Sequence, residues 1–104
     1  MTLQRILPYV EHHVYWERKM PDIELTAHAK DMLLERSIAE DWLWLAIHSP
    51  HREWVGDDHN VHYAKTIKER EGRVLHVVVN PDLQPNRVVT IFFDRRLGRK
   101  GRAK

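Results

Sequence analysis

The sequence predicts an α+β domain in which two short helices pack on one face of a small antiparallel sheet, with an extra N-terminal helical segment. Two observations support this fold class. Apolar residues recur at helical spacing up to Pro50, whereas from Arg52 onwards they alternate with a period of two. Turn-forming segments then separate the strand-like runs, as in an antiparallel meander. A helical pair covering one sheet is the simplest two-layer arrangement for this order of elements.

Two helices are predicted between Leu25 and Pro50. The first covers about residues 27 to 36, where Thr26 is a suitable N-cap and apolar residues recur at helical spacing. Ser37 lies where the chain must turn. The second helix covers about residues 39 to 48 and ends before Pro50. Its apolar face is predicted to consist of Ile38, Trp42, Leu45 and Ala46.

Further strands are predicted around these helices. A short one, DIEL, precedes the first helix, and three or four follow the second, from the runs REWV, VHYAKTI, RVLHVVV and RVVTIFF. In RVLHVVV the period of two directs Leu75, Val77 and Val79 to one face. His76 therefore interrupts an otherwise apolar strand on the opposite face, which is the face predicted to lie away from the helices.

The chain is expected to form one domain with two appended ends, because 104 residues with 42% apolar content can bury one modest core. Residues 1–20 form an amphipathic N-terminal extension interrupted by Pro8, residues 21–96 form the α+β domain, and residues 97–104 form a basic tail expected to be disordered. The last ten residues hold six of the seventeen Lys and Arg residues and no acid. Such a tail commonly binds polyanions or an acidic partner; the alternative is a solvated end that aids solubility.

Composition excludes several classes of protein. Cysteine is absent, so the chain has neither disulfide bonds nor a thiolate nucleophile. No apolar run approaches the roughly 18 residues of a membrane helix, and the N-terminus lacks the features of a signal peptide, so a cytoplasmic protein is expected. The cluster DDHNVH contains an H-x-x-H pair, but one spacing in a turn-rich loop does not supply three or four converging ligands. Neither a metal nor a cofactor is expected.

Three segments resemble a bacterial family of domains of unknown function. HAKDMLLERSI resembles the family pattern H-A-x-x-R-M-x-E-R-G-I, GRVLHVVV resembles G-R-x-L-x-V-V, and VVTIFFDRR resembles V-V-T-V-Y-x-D-R-R. The family is similar to BrnT and, more remotely, to the RelE/ParE-like toxins, in which two helices pack on one face of an antiparallel sheet and many members cleave RNA. The resemblance extends from about Ile23 to Arg96. This sequence departs from the pattern at Met32, where the family has arginine, and at Ser37, where it has glycine.

The resemblance implies metal-independent RNA cleavage within a toxin-antitoxin-type system. That reaction needs a base for the 2′-hydroxyl, an acid for the leaving oxygen, and cations for the charge on phosphorus. The matching motifs supply as candidate catalytic residues His28, Arg36, Arg73 and His76, while His62 and Tyr63 lie in the intervening strand. The candidate nucleic-acid-binding residues are Arg95, Arg96, Arg99 and Lys100.

Each histidine also has a purely structural interpretation. His28 lies in the first turn of a helix, where the helix dipole disfavours a cation, so its neutral ring suits either a base or a cap. If His28 is the base, it must share a cleft with at least one of the other candidate residues: Arg36, Arg73, His76 or Arg96. The expected partners are RNA and a cognate antitoxin, a second copy of the chain is a candidate, and no membrane is involved. The alternative function is a non-catalytic protein-binding or regulatory module derived from the same fold.

Overall fold

Five strands and two α-helices form a two-layer α+β domain in the computed structural model, which describes residues 22–97. The elements in chain order are β1 (Ile23–Glu24), α1 (Ala27–Glu35), α2 (Glu40–His48), β2 (Arg52–Val55), β3 (Val61–Ile67), the 3₁₀ helix η1 (Lys68–Arg70), β4 (Arg73–Asn80) and β5 (Asn86–Phe93). The strands lie in the order β1-β5-β4-β3-β2. The predicted fold class is confirmed. The proposed N-terminal extension and nearly all of the basic tail lie outside the described residues.

Pairing within the sheet is antiparallel from β2 through β5, as the meander predicts. The two-residue strand β1 is the exception, because it runs parallel to the start of β5. The chain leaves β1 for the two helices and returns to it only after the whole meander has formed. A strand joined by so long a connection is free to pair in the parallel direction, which hairpin turns forbid.

Both ends of α1 have the local chemistry that the sequence indicates. Thr26 caps the first turn, since its Oγ1 accepts a hydrogen bond from the Ala29 amide at 3.1 Å. At the other end, the amides of Ser37 and Ile38 donate to the carbonyls of Leu34 and Leu33 at 3.2 and 2.9 Å. This pair of bonds is a Schellman motif. It places Ser37 in the left-handed region, with φ of 53°.

The substitution Ser37→Gly is expected to stabilise the domain by about 1 kcal/mol, because glycine adopts a left-handed conformation without the steric cost that a Cβ imposes. The Schellman hydrogen bonds are made by backbone groups and survive the change. Urea unfolding of the two proteins measures the difference. Ser49→Gly is a suitable control, since Ser49 follows α2 with a negative φ of −140°. It should gain nothing.

The core lies between the helices and one face of the sheet. Its central residues come from both helices and from alternate positions of the strands: Ala29, Met32, Leu33, Leu43, Ala46, Ile47, Tyr63, Ile67, Leu75, Val77, Val79 and Ile91. The prediction for α2 was partly wrong. Leu45 is 45% exposed, whereas Leu43 and Ile47 are buried, so the buried face of α2 is centred on Leu43, Ala46 and Ile47.

Candidate acid–base site

The face of the sheet away from the helices carries two histidines on adjacent strands. Leu75, Val77 and Val79 belong to the core, so His76 points to the opposite face, as the alternation predicts. On this face Ala64 pairs with His76, and His62 pairs with Val78. His62 and His76 are thus diagonal neighbours on β3 and β4, a spacing that rings can bridge.

The two rings belong to an unbroken chain of four polar side chains. Asp94 Oδ2 lies 3.0 Å from His76 Nδ1, and His76 Nε2 lies 2.9 Å from His62 Nδ1. His62 Nε2 in turn lies 3.2 Å from Asp58 Oδ1. We call these residues the histidine relay: Asp58, His62, His76 and Asp94. The relay runs from a carboxylate that is 4% exposed to one that is 49% exposed.

The protons in the relay follow from its geometry. Both ends are carboxylates, which accept hydrogen bonds when ionised, so His76 Nδ1 and His62 Nε2 must both donate. The bond between the rings needs one further proton. Complete hydrogen bonding therefore requires three protons on four ring nitrogens, which is one imidazole and one imidazolium. If both rings are neutral, they carry only two protons, and one of the three hydrogen bonds is lost. The contact between His62 and solvent-exposed Asp58 is the least costly to lose.

Asp94 fixes the buried end of the relay. Burial is the largest influence and raises the pKa of its carboxyl group, but the hydrogen bond with His76, those from the amides of Leu97 and Arg96, and the charge of Arg96 together leave the pKa below its ordinary value. Asp94 Oδ1 accepts the amides of Arg96 and Leu97 at 3.0 and 3.4 Å and so caps the helical turn that begins at residue 95. An ionised Asp94 holds His76 in the tautomer whose Nδ1 carries a proton.

The loop between β2 and β3 fixes the exposed end. Asp58 Oδ1 accepts the Asn60 amide at 3.0 Å, and its Oδ2 accepts Asn60 Nδ2 at 3.1 Å. The bond from the Asn60 amide, followed by the one with His62, lowers the pKa of Asp58. Gly56 lies against this pair so closely that a Cβ would stand 2.6 Å from His62 Nε2 and 2.8 Å from Asp58 Oδ1.

The substitution Gly56→Ala is therefore expected to separate His62 from Asp58. One of the two side chains must move to admit the methyl group, and overpacking of this kind typically costs about 1 to 3 kcal/mol of folding free energy. The shift should appear in the imidazole NMR signals of His62, while those of His76 change less. The control Gly72→Ala alters the other described glycine: its φ of 77° strains an alanine there, but the Cβ meets only a Thr66 methyl at 3.9 Å, so the His62 signals should not change. His62 signals that are unchanged in Gly56→Ala would contradict the contact between His62 and Asp58.

Aromatic rings enclose the two histidines. Trp54 stacks on His62 with ring centroids 5.1 Å apart and planes inclined by 17°. Phe92 lies 5.0 Å from the ring of His76, and Trp54 lies 5.3 Å from it. The guanidinium of Arg52 lies over Trp54 at 4.6 Å. These neighbours limit the contact of the rings with water and strengthen the hydrogen bonds between them.

Most of the described chain matches a known protein family. A family model described as a domain of unknown function (DUF4258) matches residues 25–93. The chain belongs to the DUF4258 family. No curated protein and no solved structure matches the chain. The matched segment contains both histidines and Asp58, and Asp94 is the residue that follows it.

The candidate catalytic residues predicted from the sequence do not all lie at one place in the DUF4258 domain. His28 is exposed on α1, which packs on the opposite side of the sheet from His76, so these two candidates do not share a cleft. Arg36 donates to the Ile91 carbonyl at 2.8 Å, and Arg73 lies over the Phe93 ring at 4.8 Å. Those two arginines lie at one end of the helix-covered face. His76 is the candidate that belongs to the relay.

The predicted nucleic-acid-binding residues fall partly within the described chain. Arg95 and Arg96 are exposed just after β5. Arg96 Nε lies 3.5 Å from Asp94 Oδ1, but the Arg96 side chain is 87% exposed, so this ion pair contributes little to stability. Arg99 and Lys100 lie outside the described residues.

Sequence reasoning missed Asp58 and Asp94 as members of the site. Asp94 lies in the segment VVTIFFDRR, in which only the two arginines were predicted to be functional. Its position directly after a strand and before a helical turn is a signal for a cap, and the pairing of β4 with β5 brings it to His76. Among residues 22–97, no group of three or more His, Cys, Asp or Glu side chains converges as metal ligands would. No helix in the same range is long and apolar enough to cross a membrane.

Proposed function

We propose that this DUF4258 domain is a metal-independent endoribonuclease of a bacterial toxin-antitoxin-type system, acting in the cytoplasm. The observation that carries the proposal is the unbroken hydrogen-bond chain from buried Asp94 through His76 to His62. The chain ends at His62 Nε2, beside a carboxylate that solvent reaches. This is the arrangement of a general acid–base group whose orientation is set by a second group and a third.

The proposed reaction needs a proton acceptor and a proton donor. A 2′-hydroxyl attacks the adjacent phosphorus and its proton passes to His62 Nε2, while the bond from phosphorus to the 5′-oxygen breaks and that oxygen takes a proton from water. His62 Nε2 is the reacting nitrogen in this proposal, since His76 is the more enclosed ring. His76 orients His62 and shares a proton with it, while Asp94 keeps His76 Nδ1 protonated. RNA must displace Asp58 from His62, and a solvent-exposed contact of this kind is readily displaced.

Two neighbouring side chains support a polyanionic substrate. Arg52 and His62 both contact the Trp54 ring, so a guanidinium lies on the same face of the sheet as the relay. A guanidinium can bind the phosphate oxygens on which charge develops. Arg95 and Arg96 offer further positive charge at the end of β5. Resemblance to BrnT and to RelE/ParE-like toxins adds the expectation of a cognate antitoxin, and a homodimer is part of the same proposal.

Incubation of the purified protein with RNA in EDTA tests the proposal. Cleavage should proceed without metal and leave 2′,3′-cyclic phosphate ends, because the attacking group is the 2′-hydroxyl. The same oligonucleotide with one 2′-deoxy position should remain uncut at that position. Requirement for a metal, or cleavage at the 2′-deoxy position, would contradict this mechanism.

The second candidate function is a non-catalytic protein-binding or regulatory module. The observation that favours it is that each ring nitrogen in the relay lies within hydrogen-bond distance of a partner, since Asp58 lies against the nitrogen that a substrate would need. A fully paired network also serves to hold a sheet face rigid. RNA left intact by folded protein, together with tight binding to the product of a neighbouring gene, would favour this module over the ribonuclease.

A further inference from the structure

Two arginines contact one aromatic ring on the helix-covered face of the sheet, and a third bonds to the backbone of the same strand. The guanidinium carbons of Arg70 and Arg73 lie 5.0 and 4.8 Å from the centroid of the Phe93 ring. Arg36 bonds to the carbonyl of Ile91, two residues before Phe93 on β5. We call the three residues the arginine cluster: Arg36, Arg70 and Arg73.

The cluster has no acidic counterpart in the part of the chain that the structure describes. No carboxylate of residues 22–97 lies within 4.0 Å of any of the three guanidinium groups. Glu69 and Glu71 flank Arg70 in sequence, but both are exposed and neither pairs with it. Like charges brought to one ring repel each other, and a bound anion would relieve that repulsion.

The contacts within the domain account for only part of the cluster. Arg70 Nη1 donates to the Ser37 carbonyl at 3.4 Å, and its guanidinium lies 5.8 Å from the Trp42 ring, so Arg70 links η1 to the turn between the helices. Arg73 is exposed, and its guanidinium lies over the Phe93 ring. Stacking on a ring leaves the edge of a guanidinium, with its N–H donors, directed away from the ring face.

We propose that the arginine cluster binds a backbone phosphate of single-stranded RNA, at a position separate from the bond that is cut. This inference rests on the proposed function, which makes RNA the substrate. Phe92 and Phe93 are adjacent residues with opposite orientations: Phe92 contacts His76, whereas Phe93 contacts the cluster. A strand that passes around this end of β5, beside exposed Arg95, reaches both faces of the sheet. The cluster therefore positions RNA and takes no part in proton transfer.

Binding of a 2′-O-methyl RNA oligonucleotide tests the inference, because this probe binds without being cleaved at its 2′-oxygens. Its Kd is measured by fluorescence anisotropy over a series of salt concentrations. The double variant Arg70→Gln/Arg73→Gln should bind roughly tenfold more weakly at low salt, with the slope of log K against log salt reduced by about 0.7 for the one phosphate no longer neutralised. Glutamine retains the first part of the aliphatic stem and a planar polar end group, and it removes the charge.

The variant Arg87→Gln is the matched control. Arg87 is 54% exposed and pairs with Glu24 at the far end of β5. Arg87→Gln removes one positive charge, as each substitution in the cluster does. It should leave the slope of log K against log salt unchanged. If the double variant is unfolded by circular dichroism, exposed Arg73→Gln alone is used, and a weakened Kd is still expected.

Two results separate this inference from the proposed function. Wild-type protein that binds the probe through the cluster but leaves unmodified RNA intact would reject the ribonuclease and retain the binding site. Equal Kd values and slopes for the cluster variant and Arg87→Gln would reject the cluster, even if wild-type protein cleaves RNA. Failure of wild-type protein to bind the probe at low salt would also overturn it.

Discussion

The His62→Asn protein is expected to lose RNA cleavage by about a hundredfold or more while remaining folded. Asparagine can place a polar atom near the former Nδ1 and keep the hydrogen bond to His76, but it has nothing in the place of Nε2. The substitution thus removes the reacting nitrogen and spares the interior of the relay. A positioned acid–base group contributes about 10²- to 10⁴-fold to rate, which sets the expected loss. Initial cleavage rates in EDTA, with melting temperatures as a check on folding, measure it.

The control for this experiment is His28→Asn. His28 is also a histidine and was a candidate base on sequence grounds, yet it lies on the helical side of the sheet. Its substitution should change the cleavage rate by less than about twofold, since it is remote from the relay. The reverse pattern, with cleavage lost in His28→Asn and kept in His62→Asn, would place the reaction at the helix and reject the relay as its centre.

The Asp94→Ala protein is expected to be less stable than the wild type by about 3 kcal/mol. The substitution removes a helix cap, worth about 1 kcal/mol, and a buried hydrogen bond to a charged group, worth about 2 kcal/mol. His76 is then left with an unpaired buried donor. Thermal unfolding should show the loss as a fall in Tm of roughly 15 °C for a domain of this size. A fall in Tm of only a few degrees would mean that Asp94 does not stabilise the buried end of the histidine relay.

Asp94→Asn separates the charge of Asp94 from its shape. Its amide group can donate to His76 Nδ1 if that ring changes tautomer, and the whole relay is then bonded with both rings neutral. Stability should therefore fall less than in Asp94→Ala. His62 Nε2 would carry a proton in this arrangement and could not act as a base. Cleavage should therefore be lost in Asp94→Asn even though this protein is more stable than Asp94→Ala.

The pH dependence of stability follows from the same carboxyl group. The pKa of Asp94 is lower in the folded protein than its ordinary value of 3.8. Its ionised form therefore contributes stability that is complete above the ordinary pKa and is lost as the pH falls through the lower, folded value. Urea unfolding from about pH 6 to about pH 2 should show a steeper loss for the wild type than for Asp94→Asn. Parallel curves would exclude this contribution.

Most of the fold could be predicted from the sequence because periodicity reports directly on burial. The helix and strand limits agree with the predicted ones to within one or two residues, and the outward orientation of His76 follows from the alternation in β4. The parallel pairing of β1 could not be predicted, because a two-residue strand carries no directional pattern. Leu45 lies at helical spacing from Trp42, yet it is exposed, so spacing alone does not determine which residues of α2 are buried.

The site was harder to predict because it depends on the register between strands. His62, His76 and Asp94 are far apart in sequence and meet only because β3, β4 and β5 pair in one particular alignment. A shift of one residue would direct His62 into the core and dissolve the relay. The family resemblance predicted a role for His28 and for the arginines. Their positions along the chain do not show on which face of the sheet they lie.

The claim that His62 and His76 form one proton-sharing unit is tested most directly by ¹⁵N NMR of the imidazole rings. The expected result is a protonated His76 Nδ1, together with a coupling between His76 Nε2 and His62 Nδ1 transmitted through the hydrogen bond that joins them. Asp94→Asn should move the proton of His76 from Nδ1 to Nε2. A His76 that carries its proton on Nε2 in the wild type, with no coupling to His62 Nδ1 in either protein, would contradict the relay.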